Sequence, residues 1–363
     1  MNFDRIIGQQ RAKDILIRAI EHKRVPHAYL FNGPEGVGKQ ALAIEFAKAL
    51  YCSSEAQKPC NQCSNCKRVN NFEHPDFQFI FPAPKTASID EQRQVLDSVA
   101  KNPYSQSKLW ASPTIGIDRI RELRRISNLK PLEGLRVVII TNAHNMTAEA
   151  SNSLLKILEE PPEFMHIVLI TSRINTLLPT IISRCQEIRF SILSDKEIEK
   201  ALIEREQIDT QKAEVISRIS QGSYGNALLW LDEEFEARRE LTLDFLRTCL
   251  KTPASQFELI DQLTQKYDKK VIKDILSLIL IWFRDSMYYL NGDENIKKQI
   301  VNVDKIDTLK KFVNTFERID FENIFKKIEN SIQLLDKNVQ LNLLLFVLLT
   351  HLQDSLFVKG RTL

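Results

Sequence analysis

The chain has 363 residues, 43% hydrophobic and 27% charged, with 50 lysines and arginines against 47 acidic residues for a formal charge of +3. That length holds two or three domains with a sizeable core, the composition excludes a disordered chain, and the near-balance of charge requires any contact with nucleic acid to be local. The opening MNFDRIIGQQRAKD lacks the basic-then-apolar pattern of a secretory signal, and the most apolar run, LNLLLFVLLTHL from Leu341 to Leu352, is too short to cross a bilayer. A cytoplasmic protein without membrane contact is expected.

HAYLF, His27 to Phe31, suits a buried parallel strand, and ALAIEFAKAL after it has helical periodicity. Between them lies GPEGVGKQ, a loop whose Gly33, Gly36, Gly38 and Lys39 suit it to cradle phosphate on backbone amides and a lysine. The next position, where a Ser or Thr hydroxyl would ligate magnesium, holds Gln40. A glycine turn with no ligand is the plainer reading of this segment alone.

Cys52, Cys60, Cys63 and Cys66 follow within fifteen residues, and two C-x-x-C steps share Cys63. Cytosolic thiols stay reduced, so this spacing predicts a structural Zn²⁺ held by four thiolates, with an iron–sulfur cluster as the other chemistry four cysteines suit. Cys185 and Cys249 have no neighbouring cysteine and read as packing residues. From Phe72 to Ile115 five prolines and sparse periodicity predict a long connection. It leads into the helical IDRIRELRRI, whose Arg119, Arg121, Arg124 and Arg125 read as a solvated face paired with Asp118 and Glu122 rather than as a DNA contact.

RVVII, Arg136 to Ile140, predicts a second buried strand, and it runs into Thr141 and Asn142. A phosphoryl-transfer ATPase of this layout would place there an Asp for magnesium and a Glu for the attacking water. Neither residue present is a general base or a charged metal ligand. HIVLITS, His166 to Ser172, predicts a third strand, and TIISRCQEIRF after it contains Arg184, which suits either a surface ion pair or a finger reaching a neighbour's nucleotide. Only Pro253 among thirteen prolines lies beyond Pro179, and from about Ile192 onward the pattern is helical almost throughout.

Taken in order, FDRIIGQQRAKDIL, HAYLFNGPEGVGK, the four cysteines, ASNSLLKILEEPP, LLPTIISRC and QGSYGNAL resemble the clamp-loader branch of the AAA+ family over roughly Phe3 to Ala227. LLKILEEPP followed by SRC is the most specific part, and the glycine loop the least. The resemblance implies an α/β P-loop module to about residue 190 with the zinc module at about 52–66, a helical lid at 191–249, and an all-α oligomerisation collar at 250–363. In that family the motor subunits carry, within the segment matching QGSYGNAL, an arginine that senses phosphate; here Gly225 stands in that place. Loop hydroxyl, acidic pair and sensor arginine are absent together, which implies a non-motor subunit with no ATP hydrolysis of its own, while Arg184 implies a finger supplied in trans. The implied partners are the gamma/tau and delta subunits of the loader, a sliding clamp, and primer-template DNA through the complex. ATP or ADP held weakly and without turnover is the remaining cofactor expectation. An active gamma/tau-type motor and a stand-alone zinc-containing nucleic-acid-binding protein are the competing readings.

Overall fold

A computed structural model describes the chain except residues 106–108, 111, 233, 295–298, 317, 336, 338 and 358–363. It comprises two compact units: Met1–Ile208 with Ser220–Leu228, and Asp209–Ile219 with the described residues from Leu229 on.

The first unit is built on a five-stranded parallel sheet. Its strands are β1 (Ala28–Asn32), β2 (Phe77–Ile80), β3 (Arg136–Ile140), β4 (Met165–Thr171) and β5 (Gln186–Arg189), in the spatial order β2-β3-β4-β1-β5. Leu30 of β1 stands opposite Leu169 of β4, and Val138 of β3 opposite Ile167. Strands covered on both faces read as unbroken apolar runs, which is why RVVII and AYLF were legible. Alternate residues serve the two faces. Leu30, Val138, Ile140 and Leu169 pack with Ile120 and Leu123 of α5 (Ile117–Ser127) and Leu154 and Ile157 of α6 (Ala148–Glu159). On the opposite face Tyr29 meets the ring of Phe46 edge-on at 5.7 Å, and Phe31 lies 5.1 Å from Phe190.

The segment 72–115 is not the plain connection its prolines suggested. It contains β2, which pairs with β3 at the sheet edge, and α4 (Ile89–Lys101); residues 106–108 and 111 of it lie outside the described residues. Two local signals were available. FQFIF carries apolar residues at every second position, and Ser88 with Glu91 forms a reciprocal capping box at the start of α4.

Every element among the described residues of the second unit is a helix, from Thr210–Ile219 through Lys269–Asn291 to Ile306–Thr315, Phe321–Leu335 and Leu341–Leu356. Phe245, Leu276, Ile279, Phe283, Ile328 and Leu349 meet in its core. The apolar run at 341–352 belongs to this bundle, and no helix among the described residues is long and apolar enough to cross a membrane. The buried Asp285 carboxylate accepts the backbone N–H groups of Val301 and Asn302, at 3.1 and 2.8 Å.

Candidate functional site

The glycine loop joins β1 to α2 (Lys39–Tyr51), at the carboxyl edge of the sheet where open parallel sheets bind ligands. Gly33 has φ +154°, and a Cβ there would lie 2.4 Å from the Phe190 carbonyl oxygen, so no side chain fits. Gly38 has φ +104° and faces the ring of Tyr104. Lys39 begins α2 and is only 6% exposed. Its Nζ donates to the Gly33 carbonyl at 2.6 Å and to that of Pro34. Burial lowers its pKa to about 8, with Glu35 partly opposing.

Other loop carbonyls also find partners within the chain. Gln9 donates through Nε2 to Val37 at 3.2 Å, and the Gly225 N–H donates to Gly36 at 2.9 Å. Gly225 thus contacts the loop through its backbone. Gln40 turns its Nε2 to the Pro103 carbonyl at 3.1 Å. Tyr104, beside it, is 5% exposed, and its hydroxyl accepts the Ile7 N–H at 2.9 Å. Neither Tyr104 nor Gln9 was found from the sequence, since a lone Tyr or Gln carries no motif.

A cavity of about 220 Å³ opens at the loop, lined by Gly36, Lys39, Gln40, Thr141 and Asn142 with an apolar wall that includes Phe81 and Trp110. Thr141 is buried at the end of β3, and Asn142 is exposed in a left-handed conformation, φ +47°. Neither brings a negative charge. Among the described residues lining the cavity only Glu35 is a carboxylate, and it accepts a hydrogen bond from the Ser172 hydroxyl at 3.2 Å. His144 lies nearby with Nδ1 3.2 Å from the Thr171 hydroxyl oxygen. Burial lowers its pKa, with Arg173 and Lys39 adding repulsion against the opposing pull of Glu35.

Arg184 follows α7 (Pro179–Ile182) and does not line this cavity. Its guanidinium pairs with Glu159 at 3.0 Å and donates to the Thr180 carbonyl at 3.0 Å. On α5, Arg125 grips Glu122 through two bonds at 3.0 and 2.8 Å, Arg121 stands 3.8 Å from Asp118, and Arg119 bonds Gln92 while lying over Phe81. Three of the four arginines therefore have partners along or beside their own helix.

The four cysteines converge. Cys52 caps the C-terminus of α2, Cys63 caps the N-terminus of α3 (Ser64–Asn70), and all four sulfurs lie within 4.8 Å of one another. Four sulfurs at bonding distance of about 2.3 Å from one tetrahedral ion require separations of about 3.8 Å, which this cluster approaches. Backbone N–H groups of Cys60, Cys63 and Cys66 point at the sulfurs of Cys52, Cys60 and Cys63, at 3.3, 3.3 and 3.5 Å, as thiolates would accept them. Burial raises the Cys63 thiol, yet N–H groups of Cys66 and Ser53 outweigh it and bring it down to about 6. The donor set can hold a metal ion. Lys48 and Glu45, an ion pair buried on α2 at 2.8 Å, reach Asn61 and so anchor the knot's turn. Cys185 packs beside the sheet core and Cys249 lies buried in the second unit, its Sγ 3.3 Å from the Leu349 carbonyl oxygen.

Residues 8–194 match the family model described as DNA polymerase III, delta subunit. The chain is 29% identical over 289 residues to the DNA polymerase III subunit delta' of Bacillus subtilis, covering 79% of each chain. It is 28% identical over 356 residues to the subunit tau of the same organism, covering 90% of this chain and 56% of that one. A solved DNA polymerase III gamma subunit-related protein of Thermotoga maritima is 19% identical, covers 96% of this chain and 99% of its own, and has a TM-score of 0.45. The likeness drawn from the motifs, at its finest to a delta-prime subunit, agrees with the family model and with the delta' match. With the family model spanning just over half of its length, the chain belongs to the DNA polymerase III delta-subunit family of clamp-loader proteins.

Proposed function

We propose that this chain is the non-motor, delta-prime-type subunit of a DNA polymerase III clamp loader. It works with gamma/tau and delta subunits to load a sliding clamp onto primed DNA, without hydrolysing ATP itself. The observation that carries this is the end of β3: Thr141 is buried and Asn142 carries no charge, while Gln40, across the cavity, is turned to Pro103. Magnesium-assisted phosphoryl transfer needs an anionic ligand and a group that orients the attacking water, and these positions supply neither.

In this reading Arg184 acts on the nucleotide of an adjoining subunit, stabilising charge on the transferring phosphoryl group. Its support is the SRC motif together with a guanidinium placed outside its own loop cavity. The cysteine knot holds one structural Zn²⁺, whose four thiolate ligands leave no position for catalysis. The chain's P-loop α/β module ends near residue 190, a helical lid follows to about 249, and the helices from 250 form the collar that joins subunits.

Purified chain given magnesium and ATP is expected to show no turnover above background, whereas about one turnover per second, the pace of a slow phosphoryl-transfer enzyme, defeats the proposal. In the reconstituted complex, Arg184→Ala should slow DNA-triggered hydrolysis at the adjoining site on the order of a thousandfold, with assembly unchanged. Full-rate hydrolysis removes the finger role. The likeness to tau over 90% of the chain favours an active motor as the second reading, and the first assay separates the two.

A further inference from the structure

We propose that Tyr104 is a built-in occupant of the groove beside the glycine loop and holds that groove shut against nucleotide. This deepens the non-motor reading and rests on it for its meaning, although the contacts stand without it.

A nucleotide whose phosphates lie on the loop needs room beside it for a flat base, and Tyr104 already places a flat ring against Gly38 of that loop. The bare Gly38 admits it: a Cβ at that position would sit 3.1 Å from the ring carbon Cε1 and 3.2 Å from the hydroxyl. The hydroxyl takes the Ile7 N–H at 2.9 Å, and the ring edge meets Tyr224 at 5.0 Å and 81°. Tyr224 is in turn bonded to Glu206 at 2.8 Å.

The segment that carries the ring is pinned on both sides. Asn102 accepts the Tyr104 N–H on its side chain at 3.0 Å and the Ser105 N–H on its carbonyl at 2.9 Å. Gln40 holds the Pro103 carbonyl. The residue that displaces a magnesium-binding hydroxyl therefore has a positive task, to fix the turn next to the plug. Pro103 and Tyr104 also line a second cavity, about 540 Å³, walled by Arg5, Lys48, Arg205 and Glu206. Both residues also line the 220 Å³ cavity at Lys39, so they stand between the two spaces. Taking the ring away would join a base-sized space to the phosphate loop.

The test is binding of the fluorescent analogue TNP-ATP to the full chain without magnesium, so that hydrolysis plays no part. Tyr104→Ala should bind at least tenfold more tightly than the wild type, and adding Lys39→Ala should abolish the gain. Equal affinity of wild type and variant, or a folded variant with no gain, overturns the proposal. If the alanine variant does not fold, Tyr104→Phe keeps the ring and loses only the hydroxyl. The Ile7 amide should then exchange with deuterium at least tenfold faster; unchanged exchange overturns the latch. A wild type that binds TNP-ATP as tightly as the variant yet shows no turnover with magnesium would overturn the plug and leave the non-motor reading standing, whereas turnover by the wild type would overturn both.

Discussion

Lys39 has its ammonium buried among backbone carbonyls, without an anionic partner at hydrogen-bond distance among the described residues. Its folded pKa of about 8 lies below the ordinary 10.5 because burial disfavours the charged form. The sign follows. Below pH 8 both folded and unfolded chains hold the proton, and the fold carries the full cost of a buried charge. Between 8 and 10.5 the folded chain releases the proton first, so its stability rises with pH. The stability of Lys39→Met relative to the wild type should therefore fall by up to about 3 kcal/mol between pH 8 and 10.5, as read by urea unfolding at each pH. A difference independent of pH would mean the amine is hydrated. None of this was visible in the motif, which places the lysine but not its surroundings.

At the scale of elements, what could be read depended on whether a segment carries its own signal. β1, β3 and β4 lie inside a parallel sheet covered on both faces, so their apolar runs announced them. The helices of the second unit did so by periodicity. β2 has four residues and one strand partner, and the prolines around it hid both it and α4. Yet α4 is defined at its start by chemistry that four letters spell, the Ser88 hydroxyl taking the Glu91 N–H while Glu91 bonds the Ser88 N–H at 2.7 Å. Ser88→Ala should destabilise the first unit by about 1 kcal/mol in chemical unfolding, and an unchanged midpoint would show that packing of Val95 and Val99 alone holds the helix. The glycine loop was legible as a shape. Its partners Gln9, Tyr104 and Gly225 were not, because they arrive from segments distant in sequence.

For the molecule as a whole, the departures from an ATPase pattern were readable as single letters, and the structure supplies what took their place. The four cysteines were legible as a set because their spacing fits one ion, whereas the buried Glu45–Lys48 pair that braces them had no signature. The purified protein should contain about one zinc per chain, and a strong chelator should remove it. Hydrogen exchange should then lose protection at the start of α3, where the amides of Cys63 and Cys66 are tied to the knot, and in the last turns of α2, whose Lys48 carbonyl accepts from the Cys66 thiol. Zinc-free protein with protection intact would make the knot dispensable. The sequence led to an expected P-loop module, lid and collar; the division into two compact units at 209–219 and 220–228, where neighbouring segments go to different units, has no local mark.

The helix α2 begins at Lys39, against the glycine loop, and ends with its capping residue Cys52 among the sulfurs. Its 13 residues span about 20 Å, and each residue added turns everything beyond it by about 100°. A single insertion or deletion inside it would swing Cys52 away from the other three sulfurs or pull the lysine off its carbonyls. Length variation among relatives should then collect in the stretch 53–59, leaving this rod at constant length even where its side chains have drifted.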